Sequence, residues 1–308
     1  MRIAIMGAGG VGGYCGGQLA QAGHEVVFIT RGEHLRAIQA GGLKLVGAAG
    51  EVVIADARAT DTTARIAPVD VVLFCVKLFD TEDAARAVAP LLAKGGVCIT
   101  LQNGVDGQHR IGAIVGDDRV MGGIAFISAL IESPGVIRYT SMAPSVKFGE
   151  ADGQMTERAV RFRDACMAAG IGAEVVADIR VAQWHKFVGL TTNSALSSLV
   201  RKPAGVVYHD PDIVALARAM FAEAAAVAGA MGIGLPDDIV EWQIQNHQKF
   251  PPEMYASMYH DLVRGRRLEL DSLSGLIIKK GRELGVPTPH HAMAYACLKP
   301  YVNGSPAG

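Results

Sequence analysis

The chain has 308 residues, enough for about two domains, each able to close its own core. Half of the residues are apolar, 19% are charged and the mean hydropathy is +0.26, which excludes a disordered chain. With 29 basic against 30 acidic residues and a formal charge of −1, there is no general basic field to hold nucleic acid or an anionic membrane, so a ligand must be caught locally.

Residues 2–6 form a short apolar run that stops at glycines, and Val11–Ala22 follows with helix-compatible residues up to Gly23. That order is strand, tight turn, helix. Val26–Ile29, Val69–Val76 and Val97–Leu101 read as further buried strands, continuous rather than alternating, with a helix expected over Thr81–Leu92. Strands alternating with helices predict a parallel sheet. Two short runs between Gly41 and Ile54 predict a hairpin, and Ile124–Ile131 with Val136–Thr140 predict a second, joined through Ser133-Pro134-Gly135. Beyond about residue 177 the pattern turns helical: Ile179–Val200, the alanine-rich Pro211–Met231 and Asp271–Leu284. The expected fold is therefore α/β, with an amino-terminal Rossmann domain (1–177) followed by an all-helical domain (178–308).

Gly7-Ala8-Gly9-Gly10-Val11-Gly12 matches G-x-G-x-x-G between the first strand and the first helix, the position at which the pattern has physical meaning. The first glycine makes the turn, the second lets the backbone approach a pyrophosphate, and the third packs helix on strand. Gly13, Gly16 and Gly17 are expected to extend this permissive surface. After the second strand, where an acidic residue would bind the ribose hydroxyl of NAD, the chain has Thr30-Arg31. A guanidinium there suits the 2′-phosphate of NADP, so NADP (NADPH) is the expected cofactor.

Ligands of open α/β sheets bind beyond the carboxyl ends of the strands, which directs attention to Lys77 and Gln102-Asn103-Gly104. In the helical half stand Trp184-His185-Lys186-Phe187, Ser257-Met258, Asp261, Arg264-Gly265-Arg266-Arg267 and Glu269. With these residues the chain resembles the ketopantoate reductase (2-dehydropantoate 2-reductase) family over nearly its whole length. The resemblance implies NADPH-dependent reduction of a 2-oxo acid in a cleft between the domains, and ketopantoate reduction to pantoate in pantothenate biosynthesis as the leading role. It implies Lys186 as general acid, Glu269 completing the polar site, and Asn103 near nicotinamide and substrate carbonyl. It further implies Lys77 as a cofactor-side contact and Ser257 on the substrate carboxylate. The family pattern W-x-K-x-x-x-N is broken by Leu190; Asn193 and Ser194 lie further along the same stripe, and Asn193 is a candidate substrate contact. Leucine at this place points to a less hydroxylated 2-oxo acid.

Bland readings stand beside these: Lys186 snorkelling from a helix, Glu269 paired with Arg266 or Lys280, and the arginine run as a solvated face. Other functions left open are a paralogue acting on another 2-oxo acid, a different two-domain NAD(P) dehydrogenase, and a non-catalytic NADP sensor. No H-E-x-x-H, zinc-like spacing or G-x-S-x-G elbow occurs, so no metal is expected. Five scattered cysteines and the lack of a signal-peptide pattern lead to the cytoplasm. No membrane span is expected, because the best stretch, Ile213–Leu235, contains Arg218 and Glu223. The alanine-rich helix is either core or the face of a homodimer.

Overall fold

The computed structural model describes residues 1–48 and 50–304. Two compact units divide the chain, Met1–Ala182 and Gln183 onward.

The first unit runs β1 (Arg2–Met6), α1 (Gly10–Gln21), β2 (Glu25–Ile29), α2 (Gly32–Gly41), β3 (Leu43–Gly47), β4 (Gly50–Ile54), β5 (Arg58–Thr60), β6 (Val69–Phe74), α3 (Thr81–Val88), β7 (Leu92–Thr100), α4 (Gly107–Val115), β8 (Val120–Phe126), β9 (Ala129–Ser133), β10 (Val136–Tyr139), β11 (Ser145–Gly149), α5 (Glu157–Ala168) and β12 (Gly172–Val175). Eight of these strands form one sheet in the order β12-β11-β8-β7-β6-β1-β2-β5. Its central pairs are parallel, as expected, whereas β8 and β11 are antiparallel. Both faces are covered. Along β1, Ile3 and Ile5 pack with Tyr14 and Leu19 of α1, while Ala4 between them packs with Ala85 and Val88 of α3. Two-sided burial is why the strand runs lack polar alternation.

A second sheet, β4-β3-β10-β9, contains both hairpins. The β3–β4 hairpin lies where it was expected. The run Ile124–Ile131 is not one strand: Val120–Phe126 belongs to the main sheet, and Ala129–Ser133 pairs with Val136–Tyr139. Helix α1 lies between the sheets, and its glycines are the reason it can. A Cβ on Gly16 would overlap the Phe28 ring, and on Gly13 and Gly17 it would press on Ile137 and Leu45 at 2.8 and 2.9 Å. These three are packing glycines and add nothing to a ligand surface, contrary to the sequence expectation.

The second unit is helical: α6 (Ile179–Val200, which starts before the division), α7 (Ala204–Val207), α8 (Pro211–Ala230), α9 (Ile239–Gln248), α10 (Ser257–Val263), α11 (Ser274–Leu284) and α12 (Pro289–Leu298). The expected helix over Asp271–Leu284 is shorter, because Leu270–Ser272 forms a 3-10 turn first. By length and mean hydropathy (1.6), α8 could cross a membrane, the one such helix among the described residues. Two of its three charges have protein partners. Arg218 pairs with Glu241 of α9, and the buried Glu223 carboxylate accepts the His290 and His291 backbone N–H groups at 2.8 and 3.0 Å, capping α12. Met220, Phe221, Ala224 and Val227 fill the unit's interior.

Candidate active site

The carboxyl ends of β1, β2, β6 and β7 bring four loops to one edge of the main sheet. Backbone bonds continue past the strands: Gly7 N–H to Ile29 O (3.0 Å), Cys75 N–H to Met6 O (2.8 Å) and Leu101 N–H to Phe74 O (2.9 Å). Gly7, Arg31, Lys77 and Asn103 therefore share one end of the sheet.

Gly7 has φ +95°, and a Cβ there would stand 2.8 Å from Val76 N; only glycine turns the chain so tightly at this point. A Cβ on Gly10 would overlap the Ala129 carbonyl, and one on Gly12 the Gly7 carbonyl. Gly9 differs from these three. Its φ is −71° and nothing lies within 4 Å of a Cβ built on it, so neither conformation nor packing demands glycine. The protein itself leaves this position open, so that a phosphate could approach the backbone here. Gly9 caps α1 without a side-chain hydrogen bond, and no acidic residue occupies the first turn, leaving the N–H groups and positive dipole end without a competing anion. The turn Gly7, Ala8, Gly9, Gly10, Val11, Gly12 thus fits a dinucleotide.

Arg31 is the N-cap residue of α2, largely exposed, with Nη2 3.3 Å from Asp80 Oδ2. That contact links the end of β2 to the loop after β6, where Lys77 precedes a 3-10 turn over Leu78–Asp80. Gln102 ties this loop to the next. Buried beside the half-buried Asn103, it donates through Nε2 to Val76 O (3.1 Å) and Thr81 Oγ1 (2.9 Å), and accepts from Thr100 Oγ1 at 3.1 Å. Arg110 of α4 adds a bidentate pair with Glu82 (2.7 and 2.9 Å) and a bond to Leu78 O. Sequence reasoning singled out the Q-N-G triplet but gave its glutamine no work. A buried amide following a strand end was the available signal.

In the second unit Lys186 lies on α6, seven residues past its start, and desolvation pushes its ammonium down to about 8 from 10.5. The side chain is partly exposed, between a solvated helix lysine and a fully enclosed one. Glu269 is buried at the entrance to the Leu270–Ser272 turn. Lys280, the partner considered for it, pairs with Glu283 at 2.7 Å, and Arg264, Arg266 and Arg267 are exposed. Along α6 from Lys186, Leu190 comes one turn on, and then Asn193, whose Oδ1 accepts from Tyr208 Oη at 3.0 Å. Ser197, on the same stripe, accepts the Ala256 N–H at 3.2 Å and so fixes the start of α10, where Ser257 is exposed. Lys186, Asn193 and Ser257 are thus joined through one helix. His185 turns away and meets the Trp242 ring edge-on at 4.4 Å.

An α/β unit whose main sheet is covered on both faces and whose glycine turn fits a dinucleotide, followed by a helical unit with a half-buried lysine, defines an oxidoreductase of the dinucleotide-binding class. A family model described as ketopantoate reductase PanE/ApbA matches residues 3–153, and one described as its C-terminal part matches residues 178–302. The chain belongs to the ketopantoate reductase family. The 2-dehydropantoate 2-reductase of Mesorhizobium japonicum is 32% identical over 310 residues, covering 94% of each chain. A PanE/ApbA family ketopantoate reductase from Ralstonia eutropha JMP134 is similar in structure, with TM-score 0.90 at 33% identity over 98% of each chain. D-mandelate dehydrogenase, solved with NADH and anilino(oxo)acetate, is also similar, with TM-score 0.90 at 25% identity over 98% of each chain.

Proposed function

We propose that this enzyme reduces a 2-oxo acid to the 2-hydroxy acid with NADPH, with Lys186 as the general acid and ketopantoate, the substrate that the names of its relatives carry, as the first candidate. The observation that carries the reading is the glycine turn of the first unit together with Lys186 on α6 of the second, in a chain matched along both parts by ketopantoate reductase models; desolvation, which lowers this ammonium to about 8, suits it to giving up a proton. When bound, the reduced nicotinamide supplies the hydride. The chain's share is to hold, orient and protonate. Residues 1–177 would carry the cofactor, through the backbone N–H groups of Gly9 to Gly12, Arg31 toward the 2′-phosphate and Lys77 beside it. Residues 178–308 would carry the acid. Negative charge grows on the carbonyl oxygen during reduction, so Lys186 Nζ interacts with that oxygen more strongly in the transition state than with bound substrate. Asn103 would orient the carbonyl, Ser257 would hold the carboxylate, and Glu269 and Asn193 would complete the polar lining.

A second reading concerns the substrate alone. Leu190 offers no hydrogen bond one turn from Lys186, and D-mandelate dehydrogenase is as similar in fold as the ketopantoate reductase structure. Both favour a 2-oxo acid with an apolar side chain. In either case the enzyme acts on a small molecule in the cytoplasm, with pantothenate synthesis as its setting under the first reading. The test is NADPH oxidation against ketopantoate, branched aliphatic 2-oxo acids and phenylglyoxylate, with Lys186→Ala alongside. Turnover by the parent together with its loss in the variant is expected. Undiminished turnover by Lys186→Ala removes the assignment, and turnover of none of the acids removes the reaction.

A further inference from the structure

Helix α9 is held against the turn of α6 that carries Lys186 by contacts on both sides of that residue. Just before it, Gln243 Nε2 donates to the His185 carbonyl at 2.7 Å. Just after it, a Cβ on Gly189 would overlap Gln243 Oε1 and stand 2.8 Å from His247 Cε1, so a side chain at position 189 would displace the Gln243 amide. A carbonyl inside a helix already accepts the N–H four residues on, so the Gln243 amide is a second, external tether on this turn. Gln243 is 2% exposed, bonded at one end of its amide and seated on Gly189 at the other.

The neighbours make the seat rigid. His247, one turn along α9 from Gln243, has Nδ1 2.7 Å from Gln243 O, and its ring stands 4.6 to 5.3 Å from those of Tyr208, Phe221 and Phe250. Burial pushes this imidazole down to about 4, so it contributes shape and no charge at neutral pH. A 10° rotation of a helix moves the end of a long side chain by on the order of 1 Å. Misplacement on that scale can lower a rate by about 10²-fold.

We propose that Gln243, seated on Gly189, is a positioning residue for Lys186: it fixes the rotation of this α6 turn and hence where the ammonium is presented. The proposal rests on the reading of Lys186 as proton donor. Gln243→Met keeps the length and removes the tether; Gln243→His retains an N–H able to reach a carbonyl. The expected result for Gln243→Met is a kcat at least about 10-fold lower, an unchanged KM for NADPH, and partial recovery in Gln243→His. Competitive acetylation of the cofactor-free enzyme, read by peptide mass spectrometry, should show Lys186 titrating above its parental value as water reaches the amine. Should Gln243→Met not fold, Gln243→Glu, of the same shape but without the donor, decides by the same readouts. A folded variant with parental kcat and parental Lys186 reactivity overturns the proposal. If Lys186→Ala keeps its activity the donor reading fails instead, and the acetylation profile still reports whether Gln243 controls that amine.

Discussion

As the proposed acid, Lys186 would have to be charged to donate a proton and desolvated to donate it readily, and burial lowers its ammonium from 10.5 to about 8. Activity that depends on the protonated amine falls as pH rises through about 8, which a profile of kcat/KM for the 2-oxo acid between pH 6 and 10 would reveal. Stability has the opposite sign. Because the folded value lies below 10.5, the unfolded chain binds more protons between pH 8 and 10.5, so this group's contribution to stability rises across that window; below pH 8 the whole cost of burying the charge remains. Lys186→Met should therefore raise the unfolding free energy by about 1–3 kcal/mol at pH 7, measured in urea, with the gain vanishing above pH 10. The same substitution should lower kcat by 10²- to 10⁴-fold, on the order of positioned acid catalysis. Arg31→Ala should increase the KM for NADPH and leave that for NADH alone; equal changes in both would remove the phosphate contact. Since Asp80 already holds this guanidinium, Asp80→Asn is expected to tighten NADPH binding modestly. At this scale the sequence made Lys186 and Arg31 visible through motif position, while Gln243 was invisible because its partner lies 58 residues away along the chain.

Elements differ in how well local signals announce them. The β1–α1 unit was legible because an apolar run, a glycine turn and a capless helix start coincide within a few residues. The strand boundary within Ile124–Ile131 was not, since neither glycine nor proline marks the step from one sheet to the other at Ile127-Ser128. Strands β11 and β12 also escaped notice; both are short, and their pairing depends on the far edge of a sheet whose order sequence does not state. Helix α12 owes its start to Glu223, which also lies 2.6 Å from His290 Nδ1. Glu223→Ala leaves one buried and one partly buried N–H group without an acceptor and should destabilise the protein by about 2–4 kcal/mol in urea unfolding. Glu223→Gln should lose less, because one amide oxygen still accepts.

For the whole molecule, the glycine turn and Lys186 lie in separate compact units, each with its own core. Ligand that binds only the folded state stabilises it by RT ln(1 + [L]/Kd), about 2.7 kcal/mol at a hundredfold excess over Kd. NADPH should accordingly raise the melting temperature more than NADH at equal concentration, and the difference should disappear in Arg31→Ala. Gly9→Ala tests the cradle in the same assay. With open space around its Cβ it should melt as the parent does when alone, and lose the NADPH-induced shift.

The five thiols are far from equivalent. Cys15, Cys98 and Cys166 are buried and Cys75 is half-buried, and burial raises the pKa of each, to about 12 for Cys15, so little thiolate forms under ordinary conditions. Cys297, near the end of α12, is exposed. A maleimide dye added to the untouched wild type should thus couple at a single place in the helical half, giving a built-in reporter for fluorescence work without engineering a cysteine or removing one.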